Sequence, residues 1–230
     1  MDGRRWAVFG LVLAGAIEVA LIRLGRGYGS TPAERHRILP GDDLISRPDT
    51  CTDHAITIDA APEQVWPWLV QMGWGRGGWY TARWVDRLLF PANGPSTDHV
   101  VPELQHVAVG DFIPDGPPDT ECGFIVEIVD PGHALVLRSI SHLPRSWRTF
   151  ASVDWSWAFI ISPAEDDTGR SRFQFRSRWT TSPWWFTAAT YLTVVPADFV
   201  MSRSMLTGLR SRVEGTRVRA SRCGSPSGDG

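Results

Sequence analysis

The sequence predicts an α+β domain, an antiparallel sheet curving round one last long helix, behind an N-terminal transmembrane helix. Three observations predict it. Residues 6–22, WAVFGLVLAGAIEVALI, form an apolar run broken only by Glu18 and flanked by Arg4, Arg5, Arg23 and Arg26. From residue 54 the pattern reads strand, helix, helix, then four strand-like runs in succession. The chain then closes on helix from Pro183 to about Glu214, with an interruption expected at Pro196.

At 1.5 Å per residue the run 6–22 reaches about 25 Å, the short end of a membrane span. Glu18 opposes the span by roughly 2 to 3 kcal/mol but sits off-centre. No convincing small-x-small cleavage site precedes the polar arm that follows, which favours an anchor over a removed signal peptide. Arg23, Arg26, Arg35 and Arg37 outnumber Arg4 and Arg5, so a single-pass membrane protein with its domain on the cytoplasmic side is expected. The chain divides into an anchor (1–29), an arm (30–53) containing LPGDDLISRPD, the α+β domain (54–215) and a disordered tail (216–230) ending GSPSGDG.

Within the domain, His54 to Asp59 alternates with Ile56 and Ile58 on one face, as a strand does. Asp59 suits a helix cap, Pro62 a first turn, and Val65, Trp66, Leu69 and Val70 recur at helical spacing, giving a helix over 62–72 that Pro67 should kink. The stretch GWGRGGW, residues 73–79, matches the dinucleotide fingerprint Gly73-x-Gly75-x-x-Gly78, with Asp98 downstream. That site needs a buried strand running into the first glycine, and here a helix does, so the glycines read as a bend before a second helix over 80–89. GFIVEIVD, HALVLRS, VDWSWAFIIS and RSRFQFRSRWT then read as strands, parted by turns such as Asp130-Pro131-Gly132.

Sidedness shows which faces meet. Trp155, Trp157, Phe159 and Ile161 share one strand face, and Phe173, Phe175 and Trp179 share one face of the next strand, with Arg172, Gln174, Arg176 and Arg178 opposite. In the last helix Met201, Met205, Leu209 and Val213 repeat every four residues. An aromatic sheet face against a methionine-bearing helix face makes either a packed core or a cavity, and methionine suits adaptable binding surfaces. Twelve tryptophans and ten phenylalanines agree with both.

The segments ITIDAAPEQVWPWLVQMGWGRGGWYTARWVDRLL, STDHVVPELQHVAVGD and WSWAFIISPAEDDTGRSRFQFRSRW, with Pro40-Gly41-Asp42 in the arm, resemble the SRPBCC (START, Bet v1-like, polyketide cyclase) superfamily over roughly residues 38–214, in particular bacterial members with an N-terminal membrane helix. The resemblance implies a helix-grip fold, a curved antiparallel sheet wrapped round the C-terminal helix with a deep apolar cavity. Members bind lipids, sterols or polyketides and a few cyclise or hydrolyse them, and the matching subgroup is largely without assigned function. It places Trp155, Trp157, Phe159, Phe173, Phe175, Met201, Met205 and Leu209 around a ligand, and Trp74, Arg76, Trp79 and Tyr80 at the mouth. Arg76 there is either a solvated loop residue or a bidentate partner for a carboxylate or phosphate head group.

The chemistry the sequence excludes is as informative. A net charge of −2 gives no reason to expect a nucleic-acid partner, and all 23 basic residues are arginine, which removes Schiff-base and P-loop lysines. No G-x-S-x-G, H-E-x-x-H or paired C-x-x-C occurs, and His99 and His106, the closest histidines, stand seven apart, so neither catalytic residue, metal nor cofactor is nominated. Tyr80, Glu103 and Asp154 remain as acid–base candidates, each with an ordinary structural role open to it. Cys51, Cys122 and Cys223 lack metal spacing, and a Cys51–Cys122 disulfide is left open. The expected function is binding or carriage of a hydrophobic small molecule at the membrane; the alternative is a cyclase- or dehydratase-type enzyme using the same cavity.

Overall fold

A computed structural model describes residues 3–165 and 167–223. Helix α1 spans Gly3–Gly27 and a short α2 Pro32–His36; β1 (Thr50–Ile58), α3 (Pro62–Val70) and α4 (Arg83–Leu89) follow, then β2 (Phe112–Pro114), β3 (Gly123–Asp130), β4 (Ala134–Ser139), β5 (Ser152–Ala164), β6 (Asp167–Ser182) and α5 (Trp184–Cys223). The strands form one antiparallel sheet in the order β1-β6-β5-β4-β3-β2. Register shifts at Val126/Ile128 and Pro163/Ala164 bend strands locally, as bulges do, and the curved sheet grips α5.

This is the helix-grip architecture, with three local differences from the sequence reading and an answer to the disulfide question that the sequence left open. Asp59 does not cap α3, whose N-cap is Ala61, because the Gln64 side chain takes the Ala61 N–H instead. Pro196 does not interrupt α5; the carbonyl of Leu192, which loses its helical partner there, belongs to an exposed residue where water can serve it. The helix also continues through residues 216–223, where arginines and Ala220 are good helix formers, and the remainder of the expected tail, 224–230, lies outside the described residues. Finally, Cys51 and Cys122 are free thiols. They sit on β1 and just before β3, four strand spacings apart, roughly 19 Å and far beyond disulfide reach.

The inner sheet face and α5 make the core. Trp157, Phe159, Ile161, Phe173 and Phe175 meet Met205, Leu206, Leu209 and Val213 with almost no exposed area. Gly208 is required here: a Cβ would lie 1.8 Å from the Tyr80 carbonyl oxygen, so only glycine lets the helix come this close.

The outer face carries the arginines, and they hold the arm. Arg176, buried to 3 % exposure, directs Nε to Asp53 at 2.8 Å, one terminal nitrogen to Asp42 at 2.7 Å and the Arg37 carbonyl at 2.9 Å, and the other to the carbonyls of Glu34 and Arg35. All five guanidinium N–H directions are used. Arg172 grips Glu34 through Nε at 2.7 Å, and this hydrogen bond holds the Glu34 carboxyl well below its ordinary range, at about 2. Arg178 adds bonds to Asp42 and the Ile45 carbonyl. The arm is therefore a strap fixed across the sheet, and α1 leaves it in a fixed direction.

Candidate functional site

Above the packed core the first half of α5 stands away from the sheet and leaves a cavity of about 690 Å³. Its sheet-side wall is aromatic because odd-numbered residues of β5 and β6 face inward: Trp155, Trp157 and Trp179. Trp79 enters from the glycine bend and stacks on Trp157 at 5.3 Å, and Trp155 stacks on Trp157 at 5.3 Å. Ser177, opposite Trp157 on β6, supplies the space for this large ring. The indole N–H groups of these four tryptophans are shielded and have no acceptor among the described residues, so the lumen meets aromatic carbon. Trp185, Phe186, Ala189 and Val194 of α5 close the other side, and Met201 forms part of the floor.

Trp79 is held in place by its neighbour. Tyr80 has φ +59°, strained for a bulky residue, and is fixed by Ser96 accepting its backbone N–H at 3.0 Å, its hydroxyl donating to the Trp68 carbonyl at 2.8 Å, and Arg212 lying 5.0 Å over its ring. Burial raises the Tyr80 phenol well above its ordinary range, so it is a structural hydroxyl.

Of the eight residues expected around a ligand, Trp155, Trp157 and Met201 line the cavity. Phe159, Phe173, Phe175, Met205 and Leu209 lie below it in the solid core, because α5 beyond Met201 rests directly on the sheet. Of the four placed at the mouth, Trp79 lines the cavity, Tyr80 is buried, and Trp74 and Arg76 line an adjoining recess of about 300 Å³. Arg76 turns back on α3, donating to the carbonyls of Val70 at 2.9 Å and Met72 at 3.1 Å, so it closes a helix end. The glycines at 73, 75 and 78 all have positive φ and form a tight loop with Gly73 bridged to Gly78, and the next helix, α4, starts only at Arg83. Asp154 is spent on a two-pronged pair with Arg138 at 2.8 and 3.0 Å, and Glu103 lies exposed on a surface turn.

Two polar groups at the cavity were not nominated from sequence. His142 bonds Asp115 through Nε2 at 2.9 Å and Ser139 through Nδ1 at 2.6 Å, which fixes its ring at the wall. Cys122 completes a group in which one ligand-type atom from each of Asp115, Cys122 and His142 lies within 4.8 Å of the others. Burial pushes the Cys122 thiol up to about 12, so it is neither a nucleophile nor an anionic ligand by itself. At the opposite side Asp198 accepts from Ser202 at 3.0 Å and Thr52 at 3.3 Å. Burial raises it to about 7, and His54, 3.4 Å away, is pushed down to about 3 by its own burial. These residues come from loops and elements far apart in sequence, so no spacing announces them. Trp179, Trp185 and Phe186 were legible as aromatic, but their place at the wall depends on how α5 stands off the sheet.

Fold and site together define a helix-grip domain with an aromatic internal cavity. No protein-family model matches the chain, and no curated protein matches it. Among solved structures, the chain is similar to a hypothetical protein from Helicobacter pylori (12 % identity, 76 % of this chain and 94 % of that one, TM-score 0.46), to norcoclaurine synthase from Thalictrum flavum (10 %, 80 % and 94 %, TM-score 0.41) and to a structural-genomics target from Mesorhizobium loti (13 %, 73 % and 98 %, TM-score 0.41). At these identities and scores the likenesses carry no argument about activity.

Proposed function

We propose that the protein binds or carries a hydrophobic small molecule, lipid- or polyketide-like, in the cavity between β5, β6 and the first half of α5, while α1 tethers it to a membrane with the domain on the cytoplasmic side. The observation that carries this reading is the cavity: about 690 Å³, walled by stacked tryptophans, within the range of drug-sized ligand sites. The tether is supported by Val8–Gly27, a helix long and apolar enough to cross a membrane, a test that a signal sequence also passes. Loss of binding on filling the cavity tests the reading. With the full chain in detergent, Ala189→Trp should weaken an apolar fluorescent probe by about tenfold or more while the melting temperature holds. Unchanged affinity would overturn it.

A second reading, acid–base chemistry of the cyclase or dehydratase kind, is favoured by one observation: the hydrogen-bonded His142–Asp115 pair, its imidazole held on the other side by Ser139, stands in the wall of a mainly aromatic cavity as a titratable unit. If it holds, His142→Asn abolishes turnover of a polyketide-like substrate and leaves probe binding intact.

A further inference from the structure

We propose that the open end of the cavity is a membrane-docking face, set into the near leaflet so that the ligand passes directly between bilayer and cavity; this rests on the tether reading above. The surface around the opening is apolar where a water-facing surface is not. Trp184 is 80 % exposed, Leu88 70 %, Trp84 61 %, Phe150 52 % and Trp147 44 %. They adjoin residues of the opening: Trp147 lines it and packs on Phe150 at 5.9 Å, Phe150 stacks on Trp185 at 6.4 Å, and Trp185 and Leu89, the chain neighbours of Trp184 and Leu88, line the cavity. Exposed apolar rings rimming a pocket mark an interaction site.

Two features identify the partner as lipid. α4 buries Val85 and Asp86 and turns Trp84 and Leu88, one turn apart, outward beside Arg83 and Arg87, the pattern of a helix lying at a membrane interface. In α5 no charged residue occurs between Arg178 and Asp198, although Leu192 and Val194 are exposed.

The direction of α1 joins these surfaces. Val195 would meet a Cβ on Gly25 at 2.5 Å, and the Tyr28 ring packs on Phe199 at 5.5 Å, so the two helices run in the same direction where they touch. Both therefore extend to the same side of the domain. The arm, strapped down by Arg172, Arg176 and Arg178, holds this orientation. When the apolar segment of α1 crosses the bilayer, the start of α5, which runs back beside that segment from Gly25, is carried with the aromatic rim into the same leaflet.

The test uses the full chain with Cys51, Cys122 and Cys223 replaced by serine, reconstituted in phosphatidylcholine–phosphatidylglycerol vesicles. Single cysteines at Leu13, Leu88, Trp184 and Ile38 carry an environment-sensitive fluorophore, and nitroxide-labelled lipid is the quencher. Loss of fluorescence at Leu88 and Trp184 comparable with that at Leu13, with Ile38 on the arm unquenched, is expected. Quenching at Leu13 alone overturns the docking face and leaves the tether standing. Quenching at none of the four overturns the tether and the docking face together, and quenching at Ile38 as well overturns this orientation.

Discussion

The two halves of α5 meet the same sheet in different ways. Beyond Met201, Met205, Leu206, Leu209 and Val213 are buried in one core with Phe159, Phe173 and Phe175. Before it, Trp184, Leu192 and Val194 are exposed, and the inward side of the helix looks across open space at Trp155, Trp157 and Trp179. The lesson is that one helix serves two purposes: its second half holds the fold together and its first half walls a site, so stability and binding should respond to different residues.

The largest effect expected is at Gly208. Gly208→Val puts side-chain carbon into the Tyr80 carbonyl, a backbone atom fixed by its own neighbours, and should cost about 3 kcal/mol or more in denaturant unfolding. A loss under about 1 kcal/mol would show that the close approach is not tight. Next comes the same substitution in the two halves. Leu209→Ala should cost roughly 2 to 5 kcal/mol, whereas exposed Leu192→Ala should stay within about 0.5 kcal/mol; equal costs would erase the distinction between packed and open halves.

The effect confined to the narrowest conditions is a change of slope with pH. Asp198 is raised to about 7 from 3.8, so its contribution to stability is fully present below 3.8 and is lost as pH rises to 7. His54 is lowered to about 3 from 6.5, so its contribution is present above 6.5 and is lost as pH falls towards 3. Across the overlap, from 3.8 to 6.5, the two slopes oppose. Asp198→Asn removes the first, so the variant should lose stability on acidification more steeply than its parent and exceed it at alkaline pH. Parallel melting curves across that range would mean that Asp198 does not titrate there.

Much of the architecture was legible because it rests on short-range rules. Alternation separates the aromatic face of β5 and β6 from Arg172, Arg176 and Arg178, and the four-residue repeat from Met201 to Val213 marks the buried helix face. β2, three residues long, and α2, five, carry too few side chains to show a period. The site was half legible. Trp155 and Trp157 follow from alternation, but the same alternation continues into Phe159, Phe173 and Phe175, and nothing in it says where packing ends and the cavity begins.

The sequence by itself determined the strands and their faces, the apolar helix at the N-terminus and the aromatic character of the interior, because each follows from the repeat of side chains along one element. Only the tertiary structure decided that the arm is a strap, that Arg76 closes a helix end, and that His142 meets Asp115 at the cavity wall. Those are meetings of segments far apart in the chain, fixed by where α5 touches the sheet and where it stands off, and no local repeat encodes that separation.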